Sequence, residues 1–207
     1  MVVEADIEIP RMRPGLALLP YQRGGVAYAR AARNRTIIGD EPGLGKTVQC
    51  LATAELFDRW PIVVVAPKIA VSVWAREIRR FFPHRTVRVL RGENPTPLVG
   101  QYVERADFYV IGYAVLHHWQ HALMRLNPQG LICDESHMLR GSKNLRTIAA
   151  KALAGVRADD QPVPAGAVPE DGLVLLASGT PILNGVGEFI EQLAILGMGY
   201  YTNPDRE

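Results

Sequence analysis

The segment Asp40-Glu41-Pro42-Gly43-Leu44-Gly45-Lys46-Thr47 constrains this chain more than any other, because it lies between an apolar β-branched run and a helical pattern. A glycine-rich turn in that setting curls backbone N–H groups around an anion at a helix N-terminus, and a following lysine and hydroxyl complete a phosphate loop. Such a loop needs a strand to deliver it and a helix to receive it, which makes the fold α/β. One position departs from the usual pattern: Asp40 stands where glycine is expected, and Gly39 falls one residue early.

Hydrophobic periodicity agrees with that frame. Apolar runs over Thr36–Gly39, Ile62–Ala66, Thr86–Leu90, Phe108–Ile111, Leu131–Cys133 and Leu173–Ala177 read as strands. They alternate with helical patterns over Tyr21–Ala32, Lys46–Arg59, Val71–Phe82, Ala114–Leu126, Asn144–Ala154 and Val186–Leu196. The alternation predicts one α/β domain with a mostly parallel central sheet and helices on both faces. Pro61 and Pro67 bracket the second strand, and the Asp-, Pro- and Gly-rich stretch Val156–Gly172 reads as a long exposed loop.

Composition excludes several classes. With 48% hydrophobic and 21% charged residues, the chain can bury a core and is not wholly disordered. No apolar run approaches the roughly 18 residues of a membrane span, so no membrane partner is expected. Glu4, Asp6 and Glu8 occupy the place of a signal peptide's basic start. Cys50 and Cys133 fall in an expected helix and an expected buried strand, and build neither a disulfide framework nor a cysteine zinc site. The expected compartment is a reducing cytoplasm. A net charge of +2 permits a nucleic-acid partner without identifying one.

The second chemical feature is Leu131-Ile132-Cys133 running into Asp134-Glu135-Ser136-His137. Acids at the carboxyl end of a buried strand suit a nucleotide site, because ligands of open α/β sheets bind outside those ends. With Lys46 upstream on a neighbouring strand, Thr47 and Asp134 are candidates to hold Mg²⁺, and Glu135 to orient and deprotonate the attacking water. Taken alone, the pair also reads as solvated loop acids. His117 and His121 lie one helical turn apart, but a third ligand and a zinc-protease glutamate are both missing, so a histidine-rich helix surface is expected. Trp74 and Trp119 fall in helical patterns and read as core.

Leu19-Pro20-Tyr21-Gln22 with Gly25-Val26, Asp40 to Thr47, Asp134 to His137, and Ser178-Gly179-Thr180-Pro181 with Asn184 together resemble the first motor lobe of Swi/Snf-type DNA translocases of helicase superfamily two. Val63 to Pro67 with Trp74 and Glu77, Tyr109 to Leu116, and Lys143-Asn144 extend the resemblance, the last toward the annealing-helicase branch. An acidic residue before the glycines belongs to that family's pattern, which accounts for Asp40. The resemblance implies a RecA-like P-loop domain over residues 18–200, with an extension over 1–17 and a tail over 201–207. It implies ATP and Mg²⁺ as cofactors, bound by Gln22 at adenine and by Asp40, Glu41, Pro42, Gly43, Leu44, Gly45, Lys46 and Thr47 around the phosphates. Lys46, Asp134, Glu135 and His137 would be catalytic, and His137 would couple the γ-phosphate site to Ser178, Gly179 and Thr180. Lys68, Ser72, Gly112 and Tyr113 would contact the backbone of duplex DNA.

Nothing after Thr180 resembles the arginine-bearing motifs of a second RecA-like lobe, so that lobe is expected as a partner in cis or in trans. Two other readings stay open from the residues alone. A non-catalytic nucleotide- or DNA-binding remnant of such a motor keeps the same residues. Another small P-loop enzyme shares the phosphate loop but has no need of Gln22, the Asp-Glu-x-His segment and Ser178 to Pro181 in this order.

Overall fold

The computed structural model describes residues 7–101, 103–156, 162–180 and 186–198. In chain order the elements are α1 (Pro20–Ala31), β1 (Arg35–Ile38), α2 (Lys46–Phe57), β2 (Ile62–Ala66), α3 (Val71–Phe81), β3 (Val87–Val89) and β4 (Phe108–Gly112). After a 3₁₀ turn at Tyr113–Val115 come α4 (Leu116–Met124), β5 (Gly130–Asp134), a second 3₁₀ turn at Ser136–Met138, α5 (Leu145–Leu153), β6 (Leu173–Ala177) and α6 (Val186–Ile195). The six strands form one sheet in the order β1-β6-β5-β2-β4-β3, and every pairing is parallel.

The strand order follows from burial. All five residues of β2, and all five of β6, are buried, which only an interior strand covered on both faces achieves. β1 buries alternate residues and β3 is short and half-exposed, so these two take the edges. The sequence expectation that the strand of Lys46 neighbours that of Asp134 is corrected here: β6, the last strand in sequence, enters between β1 and β5. Its apolar run Leu173-Val174-Leu175-Leu176-Ala177 has no polar face to show solvent and is driven inward.

Alternation along the strands divides the core in two. Phe108 and Val110 face a layer containing Ala29 of α1, Leu51 and Ala54 of α2, and Trp74 and Ile78 of α3. Tyr109 and Ile111 face the opposite layer, with Trp119 and Leu123 of α4, Leu153 of α5 and Ile195 of α6. The apolar stripe of α3 shows how sequence makes such a layer: Val71, Trp74, Ala75 and Ile78 recur at helical spacing and are buried, while Arg76, Arg79 and Arg80 point outward. The stretch expected as a long exposed loop folds back in part. Val168 is buried, and its N–H donates to the carbonyl of Leu153 at 2.8 Å. No helix among the described residues is long and apolar enough to cross a membrane.

At the far end of the sheet from the phosphate loop, a buried carboxylate organises the chain. Glu55, near the end of α2, is 1% exposed and receives Arg11 at 2.7 Å, Arg85 at 2.9 and 3.0 Å, and His84 at 3.2 Å. Arg85 also pairs with Asp58 at 2.9 Å and lies 4.0 Å over the ring of Trp60. Removing one partner of a buried pair costs about 3 kcal/mol or more, whereas exposed pairs contribute under about 1 kcal/mol. Urea denaturation of Arg85→Ala is therefore expected to show a loss of about 3 kcal/mol. Asp171→Ala, which removes only the exposed carboxylate paired with Arg59, is the comparison and unfolds close to wild type. Equal losses in the two variants would contradict the structural weight given to Glu55.

Candidate nucleotide-binding site

The phosphate loop leaves β1 at the carboxyl edge of the sheet and enters α2 at Lys46. Gly43 and Gly45 have φ of 87° and 79°, the left-handed region in which a side chain is strained. At Gly43 a Cβ would meet nothing within 4 Å, so conformation alone demands glycine there. At Gly45 a Cβ would also lie 2.5 Å from Nε2 of Gln22. The buried ammonium of Lys46 curls back to donate to the carbonyls of Asp40 at 2.8 Å and Glu41 at 3.2 Å. A buried cation met by neutral carbonyls, in a loop bent by two left-handed glycines at a helix N-terminus, fits a polyphosphate.

Helix α1 braces this loop. Gln22 accepts from the N–H of Leu19 at 3.0 Å and donates to the carbonyl of Leu44 at 3.1 Å, so its amide ties the start of α1 to the phosphate loop. Its second N–H makes a long contact of 3.5 Å with the hydroxyl of Tyr21, and a lone pair on its oxygen remains for a ligand edge. Asp40 accepts from Nε2 of Gln49 at 2.6 Å. Gln49 is fully buried and fills a notch that exists because residue 25 is glycine: a Cβ there would lie 1.9 Å from its Oε1. Sequence reasoning missed Gln49, although a polar residue four after Asp-x-x-Gly-x-Gly was visible as one that a buried helix must satisfy.

Asp134 ends β5 and is fixed at three points. Its backbone carbonyl accepts from the hydroxyl of Tyr113 at 2.7 Å, its Oδ1 from the N–H of Glu135 at 3.1 Å, and its Oδ2 from the indole N–H of Trp74 at 2.8 Å. Burial holds its carboxyl above the usual carboxylate range. The Trp74 hydrogen bond opposes that shift, the charge of Glu135 adds to it, and Lys46 opposes it. Thr47 lies in the first turn of α2, next to Lys46. Oxygen donors from Thr47 and Asp134 are the set a Mg²⁺ ion takes when phosphates and water fill the rest.

Glu135 follows in the left-handed region at φ 48°, an uncommon conformation for a residue with a side chain, and it turns the chain sharply out of the strand. Nδ1 of His137 lies 3.2 Å from Oε2 of Glu135 and 3.1 Å from Oγ of Ser178, which also accepts the N–H of Thr180 at 3.2 Å. The expected coupling residues thus meet the acidic turn through one imidazole nitrogen. Gly179 permits the approach, since a Cβ there would lie 2.9 Å from Cδ of Pro42. The insertion of β6 between β1 and β5 places Ser178 and Gly179 between the phosphate loop and the acids. Pro181 and Asn184 lie outside the described residues.

Of the residues expected at DNA, Lys68 and Ser72 are exposed beside Ile69, and Gly112 is half-buried at the end of β4. Tyr113 differs. Its ring is 2% exposed and its hydroxyl donates to the backbone carbonyl of Asp134, so its side chain makes a structural bond beneath the acidic turn. Cys50 and Cys133 pack on opposite faces of the sheet, and burial pushes both thiols up. Among the described residues, no group of three or more His, Cys, Asp or Glu side chains could hold a metal ion by itself.

Several known proteins are similar to this chain in sequence or in fold. The model of the SNF2-related domain matches residues 21–158. A SWI/SNF-related matrix-associated actin-dependent regulator of chromatin subfamily A-like protein 1 from Drosophila melanogaster is 34% identical over 198 residues, which is 94% of this chain and 24% of that protein. Its Caenorhabditis elegans homologue is 31% identical over 90% of this chain and 25% of its own length. The Bos taurus DNA annealing helicase and endonuclease ZRANB3 is 30% identical over 63% of the chain and 12% of its own length. The chain thus spans about a quarter of the first two relatives and less of the third. Among solved structures, a Sulfolobus solfataricus SWI2/SNF2 ATPase core in complex with dsDNA shares the fold, with a TM-score of 0.72 at 21% identity, covering 93% of this chain and 38% of that one.

The raised pKa of Asp134 has a consequence for stability. A carboxyl that holds its proton more tightly folded than unfolded makes the folded state bind more protons, so stability falls as pH rises through that interval. Asp134→Asn removes the buried charge. Without nucleotide its melting temperature is expected to fall less from acid to neutral pH than that of wild type, because the titrating group is gone while the amide nitrogen set against one of the two N–H donors costs the same at every pH. Melting curves across pH check this, and a wild-type dependence on pH in Asp134→Asn would contradict it.

Proposed function

Because the chain belongs to the SNF2-related family, we propose that it is the ATP-binding lobe of an ATP-driven DNA translocase. One observation carries the reading: a single edge of the parallel sheet presents Lys46 in its glycine loop, the anchored Asp134, and Glu135 linked through His137 to Ser178. Gln22 would meet adenine, and the backbone of Asp40 to Gly45 with Lys46 would grip the phosphates. Thr47 and Asp134 would hold Mg²⁺, whose charge stabilises the negative charge that builds on the phosphate oxygens. Glu135 would orient a water in line with the γ-phosphate and take its proton at a carboxylate oxygen.

His137 then has a choice of partner. Its Nδ1 reaches both Glu135 and Ser178, but one N–H serves only one acceptor well, so a change at Glu135 is felt at Ser178 and Thr180. Lys68, Ser72 and Gly112 would touch the phosphates of duplex DNA, the ligand named for the Sulfolobus solfataricus complex. Such contacts set position without reading sequence. A cytoplasmic setting suits the role.

In two-lobed motors an arginine reaches the γ-phosphate across the cleft and raises turnover by about a thousandfold or more. We therefore expect these 207 residues alone to hydrolyse ATP slowly and without stimulation by DNA. Supplying a second RecA-like lobe as a separate chain should restore DNA-dependent turnover, and Glu135→Gln in the first lobe should remove it while ATP binding persists. Steady-state ATPase assays with and without duplex are the check. Unchanged turnover in Glu135→Gln would overturn the role of Glu135, and nucleotide binding without DNA-dependent turnover in the assembly would favour a non-catalytic remnant.

A further inference from the structure

Helical spacing alone explains why Trp74 is in the core, but not why it is tryptophan. The side chain is 1% exposed, and Phe or Leu would fill apolar space without bringing a polar atom into it. Its indole N–H instead ends 2.8 Å from Oδ2 of Asp134, across 60 residues of sequence. The other two indoles have other acceptors: Trp119 donates to the backbone carbonyl of Gly92 at 2.8 Å, and Trp60 to the exposed carboxylate of Asp58, two residues away, at 3.2 Å.

We propose that Trp74 is a positioning residue for Asp134, its indole N–H fixing the carboxylate plane with which this chain meets Mg²⁺ and nucleotide. The proposal rests on the reading of Asp134 given above. An ionised carboxylate has about four lone-pair sites on two oxygens and, unrestrained, rotates about its last bond. The N–H of Glu135 takes one site on Oδ1 and the indole one on Oδ2, so rotation is stopped and one site on each oxygen stays open. A hydrogen bond to a charged acceptor is roughly twice as strong as a neutral one, and the full burial of the indole with the partial burial of the carboxylate limits competition from water. The donor rides on α3, whose first turn follows the exposed loop of Lys68 and Ile69, so the same helix joins Asp134 to the face proposed to carry duplex.

The test compares Trp74→Phe with Trp119→Phe, which removes an equally buried indole and its hydrogen bond on the opposite face. Affinity for a fluorescent ATP analogue is measured with Mg²⁺ and with chelator. Trp119→Phe should keep the full gain in affinity that Mg²⁺ confers, while Trp74→Phe should lose about tenfold of that gain and, with chelator, match wild type. An equal Mg²⁺ gain in the two variants would overturn the proposal. Should Trp74→Phe fail to fold, the wild-type chain decides the matter through its indole ¹⁵N–¹H signals. Adding Mg²⁺ to the nucleotide complex should shift the Trp74 signal and leave that of Trp119 in place, and a stationary Trp74 signal would refute the inference. Failure of wild type to bind nucleotide would instead overturn the reading of the site, and the proposal with it.

Discussion

Every hydrogen-bonded ladder in this sheet is parallel, and the rest of the structure depends on that. Parallel strands all deliver their carboxyl ends to one edge, so loops far apart in sequence converge without any of them being long. Gly39 to Gly45 follows β1, Pro67 to Ala70 follows β2, Gly112 and Tyr113 close β4, Asp134 closes β5, and Ser178 follows β6. The buried strand β2, flanked by β4 and β5, fixes the spacing of these ends. Glu55 with Arg85 and Arg11 locks the opposite end of the layer, where no chemistry is proposed.

The site itself is assembled against local stability. Asp134 is held ionisable in a place where burial favours its neutral form, and Glu135 sits in a backbone region that costs about 1 kcal/mol or more for a residue with a Cβ. Gln49 keeps a buried amide oxygen without a partner while its nitrogen holds Asp40. A sequence selected for stability alone would remove each of these features. Their concentration around one loop is what a binding and reaction site looks like when two apolar layers on either side supply the offsetting stability.

Much of this is legible in the amino-acid sequence because its physics is local. Gly43-Leu44-Gly45-Lys46-Thr47 must turn where it does, Ile62 to Ala66 has no polar face, and α3 repeats its apolar residues at helical spacing, so the elements fall within a residue or two of expectation. Strand order is not local. That β6 separates β1 from β5 depends on which run has the fewest polar side chains to expose, a comparison among strands that periodicity within one of them does not make. The same limit applies to side chains with two ends. Trp74 and Tyr113 have the periodicity of core residues, and both are in the core, yet their polar atoms reach Asp134 from elements 60 and 21 residues away. Periodicity reports which face a ring occupies and says nothing of where its N–H or O–H points.

The proposed site depends on Lys46 meeting a polyphosphate, and calorimetric titration of Mg-ATP into the wild-type chain and into Lys46→Ala addresses that most directly. Because the lysine supplies a charge-assisted contact to phosphate on top of backbone donors that remain in the variant, affinity should fall by about tenfold or more with the fold unchanged by circular dichroism. Equal affinity in the two proteins would mean that the loop from Asp40 to Thr47 is not where nucleotide binds, and the functional reading built on it would not hold.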